Sequence, residues 1–265
     1  MPDVVIVAMN HEAAEARAAL YAPLRGVRTT VLSGGSDGSD GSALADLADL
    51  SLLPVAALHG AIRDAGGRCR AVLLPPDAAL PPDGERIQKL LLRNKLHGFI
   101  RNTLFFHPAA ARVLEVADAG CLGNIQTLTI ERRVTARTVV EVPALEALFC
   151  RRYLPEADVC AALATESPAT DKLKFILSPA QKETGEGWEI RVTGDGGTIT
   201  ASAPLAGGGS VKLVENNGAA RTWEVPEEDP ARLCLAAALL CLDRKEPLAF
   251  LDFKTAAKSL AFLAG

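Results

Sequence analysis

The residues that could bind a dinucleotide come early in the chain, between an apolar run and a helical pattern. Residues 4 to 9, VVIVAM, form the kind of continuous apolar run found in parallel strands buried on both faces. An alanine-rich helix is predicted from Glu12 to Leu20 and a second strand over residues 27 to 33. A dinucleotide site in such a unit needs glycines in the first turn and an acidic residue after the second strand.

The turn that would form this site reads MNHE over residues 9 to 12 and contains no glycine. The second strand ends in SGG over residues 33 to 35, so the acidic residue that would bind the ribose is missing too. The side chains of Asn10 and His11 would crowd a diphosphate, and the charge of Glu12 would repel it. The opening is therefore predicted to be Rossmann-like but without a normal NAD(P) site.

Two other glycine-rich segments could in principle hold a phosphate or a cation. Residues 34 to 42, GGSDGSDGS, match no known cation loop in the spacing of Asp37 and Asp40, and they read as a solvated connector. Residues 188 to 204 contain GDGG between two alternating segments, with no helix following, which favours a β-hairpin over a phosphate loop. Its tight turn, at Asp195-Gly196 or Gly196-Gly197, is expected to need positive φ.

Cysteine and histidine, the usual soft metal ligands, are not clustered in this chain. The six cysteines lie in apolar surroundings without a C-x-x-C pair, which predicts buried free thiols rather than a disulfide framework or a metal site. His59 is interpreted as a structural residue near a helix start. No metal site is predicted.

Composition narrows the class of protein. The 265 residues carry a formal net charge of −4 with pI near 5.7, so there is no basic field to attract nucleic acid or anionic lipid. No apolar run approaches the roughly 20 residues that cross a bilayer, and the first residues, MPDVVIVAMNHE, lack a signal-peptide pattern. We expect a cytoplasmic protein that binds neither nucleic acid nor membrane.

The stretch from Phe99 to Arg133 organises the predicted elements. It reads as a short strand, a helix entered at Pro108, a turn over residues 120 to 123, and a strand from Ile125 to Arg132. Further strands are predicted at 159–166, 172–178, 188–193, 198–202, 210–215 and 221–225, and further helices at 84–94, 143–154, 231–245 and 253–263.

This stretch resembles the domain junction of the Gfo/Idh/MocA oxidoreductase family, which includes glucose-fructose oxidoreductase, inositol dehydrogenase and biliverdin reductase. The resemblance rests on FHP at residues 106 to 108, one helix, and then G-x-L-G-x-I at residues 120 to 125. It implies an α/β domain joined to an α+β domain: an abbreviated Rossmann-like domain over residues 1–106, and over residues 107–265 a mostly antiparallel sheet covered on one face by helices. The final helices would pack back near the junction.

The same resemblance implies that the family's catalytic side chains are missing. Leu74-Pro75-Pro76 occupies the family's Glu-Lys-Pro position, so Pro75 replaces a lysine and offers no titratable group. Phe105 replaces an arginine, and Leu145 and Leu148 follow Glu141 where the family has a histidine and an aspartate. No catalytic or cofactor-binding residue is assigned. A surviving small-molecule site is expected in a cleft between the domains, walled by Asn10, His11, Pro75, His107 and Glu141.

Two functions are compatible with these residues. The first is a catalytically degenerate relative that uses no cofactor and serves as a binding, accessory or partner subunit. It would form a homo-oligomer or a complex with an active enzyme subunit through the C-terminal sheet. The alternative is a divergent NAD(P)-dependent oxidoreductase acting on a sugar or a tetrapyrrole-like substrate, because hydride transfer depends on positioning as well as on an acid. Titration with NADH and NADPH discriminates between them.

Overall fold

The computed structural model describes residues 2–33, 45–134, 173–179, 186–246, 248–249 and 251–260. The chain divides into two compact units, one formed by Met1–Asn102 with Ala231–Gly265 and the other by Thr103–Pro230. The predicted boundary between residues 106 and 107 lies close to the first crossing between the units. The C-terminal helices, which the prediction counted in the second domain, group with the first unit.

The first unit contains a five-stranded parallel sheet. Its strands are β1 (Asp3–Ala8), β2 (Arg28–Ser33), β3 (Ala45–Asp49), β4 (Cys69–Leu74) and β5 (His97–Ile100), in the order β2-β1-β3-β4-β5. All four ladders are parallel. β2 lies on one side of β1, and β3, β4 and β5 follow one another on its other side. The strand order therefore reverses beside β1. The predicted Rossmann-like sheet is confirmed.

Helices accompany this sheet in the order expected for strand-helix-strand units. They are α1 (His11–Tyr21), α2 (Val55–Ala65), a 3₁₀ turn (Pro76–Ala79) and α3 (Asp83–Arg93), followed later in the chain by α6 (Pro230–Arg244) and α7 (Phe253–Leu260). The backbone N–H of Ile100 donates to the carbonyl of Leu251 at 2.8 Å, which fastens the segment before α7 to β5. Among the described residues, no helix is long and apolar enough to cross a membrane.

The second unit contains a six-stranded sheet preceded by helices α4 (Thr103–Phe106) and α5 (Pro108–Asp118). Its strands are β6 (Ile125–Val134), β7 (Leu173–Pro179), β8 (Gly187–Gly194), β9 (Gly197–Pro204), β10 (Ser210–Glu215) and β11 (Ala220–Glu224), in the order β11-β10-β9-β8-β6-β7. Only the β6–β7 ladder is parallel among those described. The mostly antiparallel sheet is confirmed, while the strand predicted at 159–166 and the helix at 143–154 lie outside the described residues.

The β8–β9 hairpin turns at Asp195-Gly196, one of the two predicted pairs, whereas the positive φ lies at Gly197, which belongs to the other pair. Positive φ occurs at Gly197, at 154°, and not at Gly196. Gly196 is needed for a different reason: a Cβ there would lie 2.6 Å from the carbonyl oxygen of Cys121. The Gly196 N–H donates to the carbonyl of Leu122 at 2.9 Å, so the hairpin turn packs closely against the loop that follows α5.

Candidate functional site

The turn between β1 and α1 is occupied by the side chain of Asn10. Asn10 is the N-cap of α1, with φ −119° and ψ 129°, and its Oδ1 accepts a hydrogen bond from the N–H of Glu12 at 2.9 Å. Its carbonyl accepts from the N–H of Ala14 at 3.2 Å. Asparagine is a favoured N-cap because its oxygen pairs one of the amides that the first helical turn leaves free. The turn thus satisfies part of its own hydrogen-bonding capacity.

His11 and Glu12 follow Asn10 in the first turn of α1. His11 Nε2 lies 3.1 Å from Glu15 Oε1, and both side chains are mostly exposed. Glu12 is exposed and places a carboxylate in the same turn. Acidic residues are favourable at a helix N-terminus because they complement the helix dipole. These groups stabilise the helix and leave a negative charge where a diphosphate would approach.

A buried polar cluster at the end of β3 was not singled out from the sequence. The hydroxyl of Tyr21 donates to Asp49 Oδ2 at 2.6 Å, and Asp49 Oδ1 accepts from the N–H of Ser51 at 2.9 Å. Burial, the charge of Asp49 and its hydrogen bond raise the pKa of the Tyr21 phenol above its ordinary value. The hydroxyl of Ser51 is buried without a hydrogen-bond partner. An aspartate ending a buried strand was the available signal.

Pro75 directly follows β4 and is the N-cap residue of the 3₁₀ turn that begins at Pro76. It is buried, with φ −65° and ψ 155°, and its carbonyl accepts from the N–H of Ala78 at 3.2 Å. Proline suits this point because its ring fixes φ near −65°. A proline side chain cannot donate, accept or carry a proton.

His107 is a buried residue whose two ring nitrogens are both in use. Nδ1 accepts from the N–H of Ala109 at 3.2 Å, and Nε2 lies 2.8 Å from the carbonyl oxygen of Pro204. This pairing selects the neutral tautomer with the proton on Nε2. Burial lowers the pKa of His107, while the hydrogen bond to Pro204 opposes that shift. The ring also meets Trp188 edge to face, with centroids 4.6 Å apart. His107 therefore caps α5 and anchors it to the end of β9.

The expected cleft is only partly represented by described residues. Asn10, His11 and Pro75 lie in the first unit and His107 in the second, while Glu141 lies outside the described residues. The structure brings Asn10 and His11 together at the β1–α1 turn, and the cleft itself stays a prediction. Within the described residues, no group of three or more histidine, cysteine or acidic side chains could hold a metal ion.

Comparison with known proteins gives a fold match without a sequence match. No protein-family model and no curated protein sequence matches the chain. Among solved structures, an oxidoreductase from Agrobacterium radiobacter in complex with NAD+, L-tartaric acid and magnesium is similar at TM-score 0.72 and 12% identity, covering 99% of this chain and 94% of that one.

Two further solved structures are similar over nearly the whole chain. They are UDP-N-acetylglucosamine 3-dehydrogenase GnnA from Acidithiobacillus ferrooxidans and the 3-ketoreductase KijD10 from Actinomadura kijaniata, the latter in complex with NADP and TDP-benzene. GnnA gives TM-score 0.70 at 12% identity, covering 99% of this chain and 95% of that one. KijD10 gives TM-score 0.69 at 13% identity, covering 99% and 96%.

These neighbours correct the expectation that no cofactor is involved. The Agrobacterium radiobacter oxidoreductase holds NAD+ and KijD10 holds NADP on a similar fold, so an assignment of no cofactor conflicts with the comparison and is withdrawn. The β1–α1 turn lacks the glycines that let a backbone approach a diphosphate closely. In addition, the Glu12 N–H already donates a hydrogen bond to Asn10 Oδ1. A diphosphate at this helix N-terminus would have to displace that side chain. In its sheet orders and element sequence, the chain has the two-domain fold of the Gfo/Idh/MocA-type oxidoreductases.

Proposed function

We propose that this protein is a catalytically degenerate relative of the oxidoreductases whose fold it has, acting as a binding or partner subunit. The observation that carries the proposal is Pro75, a buried residue at the end of β4 where the resembled family has a lysine. A proton donor or acceptor must lie within hydrogen-bond reach of the reacting hydroxyl, and proline supplies neither. The proposal concerns the proton relay and does not require that dinucleotide binding be lost.

The second unit offers a surface for a partner. One face of its sheet is apolar and buried, with Leu128, Ile130, Ile190, Val192 and Ile199. The other face carries side chains of intermediate or full exposure. The row that crosses five paired strands consists of Thr129, Arg191, Thr200, Lys212 and Thr222. Such a row of threonines and spaced cations has the mixed polarity of protein interfaces, which supports association with a second copy of the chain.

The catalytic half of the proposal is tested by turnover. The purified chain is mixed with NADH or NADPH and with a panel of keto sugars and biliverdin, while absorbance at the nicotinamide band is followed. No enzyme-dependent oxidation is expected. Sustained oxidation with any of these acceptors would overturn degeneracy and support the second candidate.

The association half is tested by light scattering at about 100 μM protein. We expect an oligomer, and we expect Thr200→Arg to lower the measured mass by crowding cations at the centre of the row. Thr30→Arg on the exposed edge strand β2 is the matched control and should leave the mass unchanged. A monomeric wild type would overturn self-association.

The second candidate is a divergent NAD(P)-dependent oxidoreductase acting on a sugar. It is favoured by the fold match to dinucleotide-bound enzymes over 99% of the chain. In such enzymes the cofactor supplies the hydride chemistry and the protein supplies orientation, so the loss of one lysine does not by itself abolish a reaction. The turnover experiment decides between the two candidates.

A further inference from the structure

A cavity of about 180 Å³ lies where helix α5 and the loop after it meet strands β10 and β11. Its lining combines apolar side chains with two guanidinium groups, and all of it belongs to the second unit. The lining includes Arg112, Val116, Cys121, Leu213, Arg221 and Trp223. None of these residues belongs to the cleft predicted between the domains, so the cavity is a separate feature of the fold.

The two guanidinium groups of the cavity lie beside one tryptophan. Arg221 and Trp223 are two residues apart on β11, so their side chains lie on the same face of the strand. The Arg112 guanidinium lies over the Trp223 ring, 4.5 Å from its centroid. A cation–π contact of this kind favours one position of the arginine. The cavity therefore combines two positive charges with an aromatic wall.

Both arginines have hydrogen-bonding capacity beyond their ion pairs. Arg112 Nη1 donates to Glu115 Oε2 at 2.6 Å, and Arg221 Nη2 lies 3.3 Å from Glu215 Oε1. Each contact engages one nitrogen of a group that carries five N–H donors. Arg112 Nε is buried and has no hydrogen-bond partner among the described residues. A buried donor without an acceptor is costly, so an acceptor carried by a bound molecule is favoured beside it.

We propose that this cavity binds a small carboxylate anion with a flat apolar body. A cavity of about 150 Å³ holds benzene, so about 180 Å³ leaves room for a ring and one carboxylate. A carboxylate matches the fork of donors that a guanidinium presents, while Val116, Leu213 and Trp223 contact the ring. The lining contains two arginines and one glutamate, so its charge is complementary to a single carboxylate.

Benzoate is the probe, and benzamide is its neutral counterpart of nearly the same shape. Binding to the full-length chain is followed by NMR through the indole N–H signals of the two tryptophans, which Trp223→Phe assigns. The Trp223 signal should shift and saturate with a Kd below about 5 mM. The signal of Trp188, which is buried and not in the lining, should shift far less. Benzamide should bind at least about 10-fold more weakly, because it forms no ion pair.

Two substitutions test the role of the guanidinium. Arg112→Met should weaken benzoate binding about 10- to 100-fold, because methionine keeps an apolar stem and removes the donors. Arg93→Met removes a charge from the exposed surface of α3 in the first unit. This matched control should leave the affinity for benzoate unchanged.

The position of the ligand is tested through the exposed thiol of Cys121, which lies in the lining. Saturating benzoate should slow alkylation of Cys121 by N-ethylmaleimide at least about threefold, since bound ligand covers the thiol. Peptide mass spectrometry measures the rate. Cys69, in the first unit, is the internal control and should react at the same rate with and without benzoate.

Other outcomes would overturn the proposal. These are equal affinities for benzoate and benzamide, an unchanged affinity in a folded Arg112→Met, no binding of benzoate at about 50 mM, or binding that leaves Trp223 and Cys121 unaffected. Thermal unfolding verifies that each variant folds, and Arg221→Met replaces Arg112→Met if the latter does not. No cofactor or turnover enters these measurements, so this proposal does not rest on the proposed function and either can fail alone.

Discussion

The hydroxyl of Tyr21 and the carboxylate of Asp49 are joined by a hydrogen bond of 2.6 Å in the interior of the first unit. The exposed fractions of the two residues are 1% and 0%. The bond connects the last residue of α1 to the last residue of β3, so it fixes the helix against the sheet near the strand-order reversal. A buried carboxylate is tolerated only when hydrogen bonds replace its lost hydration.

Tyr21→Phe should destabilise the protein by about 1–3 kcal/mol. Asp49 would remain buried and would lose the hydrogen bond from the phenol, while it keeps the one from the Ser51 N–H. Urea unfolding at pH 7 measures the change. Tyr21→Phe combined with Asp49→Asn is the control, since an amide tolerates a missing donor better than a carboxylate does. A loss below about 0.5 kcal/mol in Tyr21→Phe would mean that the phenol is not needed to solvate Asp49.

Alkaline pH should weaken the fold through the same phenol. The pKa of Tyr21 is raised in the folded state by burial first and by Asp49 second, whereas its ordinary value is 10.0. Above pH 10 the unfolded chain releases this proton and the folded chain keeps it, so stability is full below pH 10 and falls as pH rises beyond it. The slope should reach about 1.4 kcal/mol per pH unit. Unfolding measured from pH 9 to 11 should show this slope in the wild type and a smaller one in Tyr21→Phe.

The sequence predicted the scaffold better than the polar contacts. Apolar patterning and turn residues sufficed for the strands around Val5 and Ile190, because burial in a sheet depends on local pattern. The Tyr21–Asp49 pair joins residues 28 positions apart and leaves no local pattern. Gly196 was predicted as part of a tight turn, but the sequence does not show that a Cβ there would meet the carbonyl of the distant Cys121. Such contacts depend on tertiary approach, which spacing along one chain does not encode.

The same limit applies to the candidate site. The sequence shows that the β1–α1 turn lacks glycine, but it does not show that Asn10 Oδ1 accepts a hydrogen bond from the Glu12 N–H. It places His107 directly before the helix entered at Pro108, but it does not reveal the hydrogen bond from the His107 ring to the carbonyl of Pro204. The cofactor expectation failed because residue identity at one turn was given more weight than the fold.

Acidification should also cost stability, through His107. Burial lowers its folded pKa from the ordinary 6.5, so below pH 6.5 the unfolded chain takes up a proton before the folded chain does. Stability from this group is therefore full above pH 6.5 and is lost as pH falls toward the folded pKa. Urea unfolding at pH 7.5 and 5.5 should show a larger decrease for the wild type than for His107→Asn, which keeps an N-cap oxygen but does not titrate. Equal decreases would mean that His107 becomes protonated as easily in the fold as in water.

Introducing an amine at position 75 should be costly, and the cost bears on the proposed function. Pro75 is buried, so Pro75→Lys would place an ammonium out of water and should destabilise the protein by at least about 2 kcal/mol at pH 7. Burial lowers a lysine pKa, so the unfolded chain would bind the extra proton at neutral pH, and the variant should regain stability as pH rises toward 10. Unfolding of Pro75→Lys at pH 7 and 9.5 measures both effects.

Pro75→Met is the matched control, because methionine is nearly as long as lysine but uncharged, and Pro75→Ala should cost at most about 1 kcal/mol. If Pro75→Lys is as stable as Pro75→Met at pH 7, water reaches the side chain at this position. An ammonium there would then not lower the free energy of unfolding. If it is much less stable, the surroundings of Pro75 are adapted to an apolar residue. A lysine at position 75 would then be disfavoured by the fold, as the proposed catalytic degeneracy requires.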